Sequence, residues 1–418
     1  MDLSKHHIDT IKKSFAAMQS REDLIELLNF ANHLLYGDKT RPIHRKSITY
    51  YSNPELSGNT YRTFSVAKKN GGSRTIHAPK KGLKSIQRSL NLVFQALFNP
   101  HPNATGFINE QSIVENALRH INSYYVFNID VKDFFPSIDQ ARVWGRLKHP
   151  PFNLRGSEGR DDLRNRIAAI CCAPMEVERF IDGERKSIQA NVLPQGAPTS
   201  PTLTNIIAYR LDRKLTKLAK EWGCLYTRYA DDITFSSMHN IYNGRSNFRK
   251  AVERILQEEG FNVNPAKTRL QRNTQTQEVT GLIVNKKVNV RRRYLKELRK
   301  WLYLWERYGY EKASEIFTKD YIQDKGYVKG NEPDMANVLS GKLAFLKMVK
   351  GSDDSTFRKY EKRFRKLMNK QSTVNTILDV WEQEGIEAAM NHYYGNESAT
   401  DFNYSNTTDE KLIVVKTF

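Results

Sequence analysis

Residues 228–237 read Arg-Tyr-Ala-Asp-Asp-Ile-Thr-Phe-Ser-Ser, two adjacent carboxylates set between β-forming residues. The pattern predicts a hairpin whose tight turn carries Asp231 and Asp232, with strands over 226–229 and 233–235. Such a tip projects acid side chains from the end of a sheet, where their hard oxygens suit Mg²⁺. A solvated turn is the ordinary setting for an Asp-Asp pair, so the pair gains chemical meaning only from acids and donors elsewhere in the chain.

One such acid lies in Val126-Phe-Asn-Ile-Asp-Val-Lys-Asp-Phe-Phe-Pro-Ser137, where an apolar strand delivers Asp130 at its end and Asp133 on the turn that follows. Metal-assisted phosphoryl transfer uses two ions about 3.5–4 Å apart, and Asp130 supplies the third carboxylate that such a pair needs. Asp133 suits turn closure, or capping of a helix starting near Ser137, as well as it suits chemistry. Between these acids, Asn191-Val-Leu-Pro-Gln-Gly-Ala-Pro-Thr-Ser-Pro201 opens a helix through Leu203, Ile206, Ile207 and Leu211. Gly196 removes side-chain bulk, and Gln195, Thr199 and Ser200 place donors at a helix N-terminus, a setting for a sugar or phosphate.

In this order the three segments resemble the palm motifs of reverse transcriptases, with a Tyr-Ala-Asp-Asp box at 229–232 and a Leu-Pro-Gln-Gly box at 193–196. The resemblance implies an α+β right-hand polymerase fold with fingers, an antiparallel palm sheet packed by helices, and a helical thumb. It implies RNA-directed DNA synthesis, with Asp130, Asp231 and Asp232 catalytic. Two Mg²⁺ ions, for which Mn²⁺ can substitute, would be held by those acids and the Val131 carbonyl. Upstream, Tyr61-Arg-Thr-Phe-Ser-Val-Ala-Lys-Lys-Asn-Gly-Gly-Ser-Arg-Thr-Ile-His-Ala-Pro79 reads as two strands joined by an Asn-Gly-Gly turn, then a helix over 83–97. By the same resemblance this hairpin covers the incoming nucleotide, making Arg74 and Lys68 triphosphate ligands; Lys69 suits a solvated tip. Gln195 and Gly196 border the nucleotide, Phe135 crowds its 2′ position, Lys267 in Asn264-Pro-Ala-Lys-Thr268 assists the pyrophosphate, and Tyr229 meets the primer.

Two further segments resemble hallmarks of retron reverse transcriptases: Asn116-Ala117 with His120, and Val279-Thr280-Gly281. Asn116 and His120 stand one helical turn apart, where both can bond RNA or the palm itself. Val-Thr-Gly also fits a strand closed by a Gly turn. The retron resemblance, which covers about 55–368, implies one structured noncoding RNA as template and primer, deoxynucleotides as substrates, and synthesis from a guanosine 2′-hydroxyl to give branched msDNA. It further implies antiphage defence with an effector protein, and template removal by a host ribonuclease H. Rival readings are a defence-associated or group II intron-like enzyme making unbranched DNA, and a structural RNA-binding subunit with a vestigial site. No long maturase region or zinc-bearing endonuclease follows the thumb, and intact acids at all three positions weigh against a vestige.

Net charge is +20, which calls for an anionic partner such as a phosphate backbone. The excess lies before residue 371, because 371–418 carries eight acids against Lys411 and Lys416. Cys171, Cys172 and Cys224 form no metal or disulfide framework and fit a reducing cytoplasm. No apolar run approaches the ~20 residues of a membrane span. Organisation is expected as an N-terminal helical region and connector (1–60), fingers (61–125), palm (126–289, with a peripheral insertion at about 150–190), thumb (290–370) and an acidic extension (371–418). Ser20 begins a capping-box-like helix start, and 38–60 reads as a polar connector. In the thumb, Leu295, Leu298, Leu302 and Trp305 form an apolar stripe, leaving Arg292, Arg293, Lys296, Arg299 and Lys300 for RNA or hybrid. A second basic helix follows at 357–367. Beyond it, 374–394 suits a helix, and 411–418 suits a strand that completes this sheet, or docks to a partner or second copy.

Overall fold

The computed structural model describes residues 3–67, 72–181, 184–243, 246–325 and 333–384, with Ala388 and Met390; it divides into two compact units, Met1–Arg291 and Arg292–Phe418. The first unit opens with α1 (Lys5–Ala17) and α2 (Arg21–Tyr36). Ser20 and Asp23 form the expected capping box, and Leu24, Leu27, Leu28 and Ala31 enter the core. The expected connector instead contains α3 (Arg45–Ser52) and α4 (Pro54–Ser57). One fully buried residue, Ile48, anchors α3, while Asn53 caps α4 ahead of its N-terminal proline. Tertiary burial here outweighs a weak local apolar pattern.

Strands β1 (Tyr61–Ala67) and β2 (Ser73–Pro79) pair antiparallel, with Val66 opposite Arg74. Lys68 and Lys69 lie outside the described residues. Helices α5 (Lys81–Leu97) and α6 (Ile113–Leu118) lead to β3 (Tyr125–Lys132). Next come α7 (Gln140–Leu147) and α8 (Glu158–Cys171), then β4 (Ala173–Ile181) paired with β5 (Glu184–Val192). The expectation of a peripheral insertion fails for α8, whose Leu163, Ile167, Ala168, Ile170 and Cys171 are buried in the main core. Its charges had hidden that stripe: even the buried Arg164 pairs with the exposed Asp161, and Arg166 pairs with Asp162. The β4–β5 ribbon does form its own two-stranded sheet, with Asp182 and Gly183 outside the described residues.

The remaining palm elements are α9 (Ser200–Glu221), β6 (Leu225–Tyr229), β7 (Asp232–Ser237), α10 (Asn247–Glu258), β8 (Asn262–Arg272), and the short pair β9 (Glu278–Val279) and β10 (Leu282–Ile283). The main sheet runs β6-β7-β3-β8, antiparallel throughout. One face is apolar: Phe127 stacks on Tyr242 with ring centroids 5.3 Å apart, and Phe235 meets Phe248 of α10 edge-on at 5.1 Å. The other face is polar, with Asn128 donating to Thr234 at 3.1 Å. Side chains alternate along each strand, so Asp130 shares this second face with Asn128.

The second unit is helical: α11 (Arg292–Tyr308), α12 (Tyr310–Lys325), α13 (Met335–Lys350) and α14 (Ser355–Glu384). Leu298, Trp301, Leu302 and Trp305 form the buried stripe of α11, with Trp301 edge-on to Phe317 at 5.0 Å. Leu295 of the expected stripe is only partly covered. Helix α14 runs unbroken through the boundary expected at 370/371, so residues 371–384 continue a helix of this unit. The strand expected at 411–418 lies outside the described residues. No described helix is long and apolar enough to cross a membrane.

Candidate active site

Strand register assembles the site. Tyr229 faces Asp232, Asp232 faces Asp130, and Asp130 faces Asn264, one row across all four strands at the end of the polar face. The β6–β7 turn places Ala230 in the left-handed region (φ 56°), and the Asp231 carbonyl accepts from the Val131 amide at 3.0 Å. Both acid-bearing segments are thereby tied by backbone. Strand β8 bulges between the partners of Asn128 and Asp130, at Pro265 on the sheet edge. That bulge brings Lys267 back over the row: its ammonium donates to Asp130 Oδ2 at 2.9 Å, while Asn264 Nδ2 donates to Oδ1 at 2.9 Å.

Burial raises the Asp231 carboxyl above its usual range; the Asp130 charge adds to this, and Lys267 and Arg74 oppose it. Asp232, although its outer edge meets solvent, is pushed up to about 6 by burial and then by the charges of Asp231 and Asp130. Carboxylates crowded in this way favour a shared cation over a shared proton at neutral pH. As the side chains stand, no three His, Cys, Asp or Glu among the described residues converge on a common point. The donor set is nonetheless all carboxylate oxygen, and its like-charge crowding is what a hard divalent ion relieves. The residues fit Mg²⁺ or Mn²⁺.

Other candidates surround this row to differing degrees. Arg74 is exposed on β2, near enough for its charge to act on Asp231. Gln195 accepts from the His77 amide through its backbone at 2.8 Å. Gly196 has φ 121°, and a Cβ there would stand 2.8 Å from the His77 carbonyl oxygen, so close approach of this loop to β2 requires glycine. Phe135 is half-buried beside Phe107, ring centroids 6.0 Å apart. Tyr229 is partly buried in the row itself, and burial raises its phenol. Asp133 closes a turn, its carbonyl accepting from the Ser137 amide at 2.8 Å with its side chain exposed.

The structure corrects one expectation directly: Asn116 and His120 are fully buried and present nothing to RNA. Asn116 accepts from the Thr105 hydroxyl at 2.9 Å and donates to Thr280 at 3.5 Å. The His120 ring lies 2.7 Å from both the Ser236 and Thr227 hydroxyls, beneath the β6–β7 hairpin. Burial drives its imidazole down to about 3, so it is neutral. In the second unit, Arg292, Lys296 and Arg299 are exposed, whereas Arg293 pairs with Glu297 at 2.9 Å and Lys300 with Asp320 at 2.5 Å. Exposed pairs of this kind are worth roughly 0–1 kcal/mol and yield readily to phosphate. Together with Tyr303 and Arg363, most of these cations line a groove of about 760 Å³.

Sequence reasoning missed Asn264, Phe107, Gly106, Asn205, Asp212 and Arg228. The available signal was Arg228 itself, a full charge one residue inside an apolar strand and next to the acid box.

A family model for reverse transcriptase (RNA-dependent DNA polymerase) matches residues 66–286. The chain is 36% identical over 280 residues to the Mx65 retron reverse transcriptase of Myxococcus xanthus, covering 67% of this chain and 63% of that one. It is 40% identical over 236 residues to the Mx162 retron reverse transcriptase of the same organism, covering 54% and 47%. Against the Ec86 retron reverse transcriptase of Escherichia coli, identity is 33% over 244 residues, covering 57% and 68%. The chain thus spans about half to two thirds of the length of these relatives.

Proposed function

We propose, for a chain that belongs to the retron reverse transcriptases within the reverse transcriptase family, that the row of Asp130 and Asp232 with Asp231 at its turn carries out RNA-templated DNA synthesis. The observation that carries this reading is the register itself, which sets Asp130 opposite the sequence-distant Asp232 at one end of one sheet face, with Asp231 next to it on the turn. Divalent ions held by Asp130, Asp231, Asp232 and the Val131 carbonyl would supply an activated 3′-hydroxyl and charge neutralisation on the triphosphate. The chain's own groups do the rest. Arg74 offers a bidentate fork to phosphate oxygens, and its charge already acts on Asp231. Lys267 holds the charge of Asp130, and with a cation bound at that carboxylate its ammonium would be free to serve the departing pyrophosphate. Phe135 and Phe107 wall the sugar pocket, and Tyr229 supports the primer end.

The finer reading is that template and primer are one structured noncoding RNA and the product is branched msDNA, made for defence beside an effector protein. The exposed cations of α11 support a backbone-reading surface for such an RNA, since structured RNA is read largely by shape and phosphate. The test is to purify the protein from cells carrying its native flanking DNA and to run the bound nucleic acid on a denaturing gel. A species shortened by both ribonuclease and deoxyribonuclease and split by 2′,5′-debranching enzyme supports the full reading. Unbranched DNA retains the polymerase and rejects the branch. In parallel, Asp231→Asn is expected to abolish synthesis and keep RNA binding; normal synthesis by that variant would overturn the acid assignment.

A further inference from the structure

Directly behind the acid turn lies a charged pair that touches no solvent. Arg228 and Asp212 are both fully buried. The guanidinium grips the Asp212 carboxylate with two bonds of 2.7 Å, from Nε and Nη2, and Nη2 also donates to Asn205 Oδ1 at 3.1 Å. Its remaining arm, Nη1, donates to the carbonyl of Ala230 at 3.2 Å, inside the turn that carries Asp231 and Asp232. Tyr226 adds a hydroxyl bond of 2.7 Å to Asp212.

The turn is held from its other side as well. Arg228 pairs by backbone with the 103–105 segment: its amide donates to Asn103 at 2.8 Å and its carbonyl accepts from the Thr105 amide at 2.8 Å. The next residue, Gly106, lies so near the turn that a Cβ would stand 2.6 Å from the Ala230 nitrogen. Asn205 closes the loop by donating to the Gly106 carbonyl at 2.9 Å.

Ala230 must be left-handed for the two acids to leave the turn as they do, and alanine does not choose that conformation unaided. A buried ion pair is a weak source of stability compared with apolar residues of equal volume. What the pair supplies that apolar residues cannot is a fixed donor aimed at the Ala230 carbonyl. We propose that Arg228 is a positioning residue for the Asp231–Asp232 turn, with Asp212 as its counter-charge and Gly106 as the opposing jaw. The inference rests on the reading that Asp231 and Asp232 are the metal-holding acids.

The experiment compares wild type with the double variant Arg228→Met/Asp212→Leu, which fills the space without the donor. Three readouts are taken: thermal melting, RNA binding, and Mn²⁺ binding by the nucleotide-free protein, followed through the electron paramagnetic resonance signal of free Mn²⁺. The expected result is a folded, RNA-binding protein whose Mn²⁺ half-saturation rises about tenfold, and whose kcat falls about a hundredfold with KM for deoxynucleotide little changed, as a misaimed site requires. A folded double variant with wild-type Mn²⁺ affinity and kcat overturns the proposal and leaves the pair purely structural. If the double variant does not fold, Arg228→Lys and Gly106→Ala decide. Lysine keeps the charge without the fork, and the added methyl presses the turn from the other jaw. Weakened Mn²⁺ binding in both supports the clamp, and unchanged binding in either overturns it. Asp231→Asn serves as the separate control: unchanged Mn²⁺ binding and synthesis there would sink the acid assignment itself.

Discussion

Replacing His120 by glutamine separates a brace from an RNA ligand, and acid stability is where the two differ. The imidazole is fully buried between the Ser236 and Thr227 hydroxyls, each 2.7 Å away, and its titration is depressed from 6.5 to about 3. The unfolded chain takes up a proton on this ring as pH falls through about 6.5, whereas the folded protein cannot until about 3. Stability from the neutral ring is therefore complete above 6.5 and drains away as pH drops toward 3, at about 1.4 kcal/mol per pH unit. Between pH 7.5 and 5 the loss amounts to ~2 kcal/mol. Glutamine keeps a donor and an acceptor but does not titrate, so it is less stable than histidine at pH 7.5 and closes that gap by ~2 kcal/mol at pH 5. Urea unfolding of both proteins at several pH values measures this. Parallel pH curves, or RNA affinity that collapses in a variant still folded at pH 7.5, would refute the reasoning and return His120 to the RNA surface.

Lys267→Met removes the ammonium from Asp130; since that lysine is largely exposed, Mn²⁺ half-saturation should tighten by no more than about fivefold while turnover falls, and weaker Mn²⁺ binding would show that the lysine helps build the site. Gly196→Ala drives a Cβ into the His77 carbonyl at a φ of 121°, so thermal melting should report a loss of ~2 kcal/mol or more, and an unchanged melt would mean that the loop and β2 move apart freely. Arg74→Ala should raise KM for deoxynucleotides tenfold to a hundredfold, the worth of a charged hydrogen bond at about 1.5–3 kcal/mol; steady-state kinetics with an unchanged KM would remove Arg74 from the triphosphate site.

The acid row was legible from sequence because its signals are local: β-forming residues around Asp231-Asp232 and an apolar run ending at Asp130 each name a strand end without tertiary knowledge. The capping box at Ser20 and the Arg74 hairpin were legible for the same reason. What sequence could not give was cross-strand register, and Asn264 and Lys267 reach Asp130 only through a bulge in β8. Helix α8 was misjudged because its ion-paired outer face dominates its composition, and burial of the opposite stripe is a property of what packs on it. Helix α13 buries Met335, Leu339, Leu343, Leu346 and Val349, but Ala336, Val338, Phe345 and Met348 on its other faces blur that stripe, and neither it nor α12 was read from the sequence. Asn116 and His120 stayed open between RNA and the palm because polar residues on a short helix look solvent-facing until the sheet that covers them is known.

Their burial points to what these residues do. Thr280 and Gly281 both have positive φ, 47° and 85°, which makes the β9–β10 connection the tight two-residue hairpin whose twist suits paired strands. A β-branched residue in the left-handed region is costly, and the Thr280 hydroxyl offsets this by donating to the Ile113 carbonyl at 3.3 Å while accepting from Asn116. Asn116 in turn holds the Thr105 hydroxyl, and the Thr105 amide holds the Arg228 carbonyl. His120 fastens the next residues of the same hairpin through Thr227 and Ser236. The two segments that mark the retron resemblance therefore meet each other inside the palm, and both end on the β6–β7 hairpin, whose turn carries Asp231 and Asp232. Buried polar groups are costly unless every one is satisfied, and a satisfied set tolerates only one arrangement of the strands it joins. A hairpin that must aim two carboxylates at one end of a sheet needs that single arrangement, which an apolar filling of equal volume would leave free to slide.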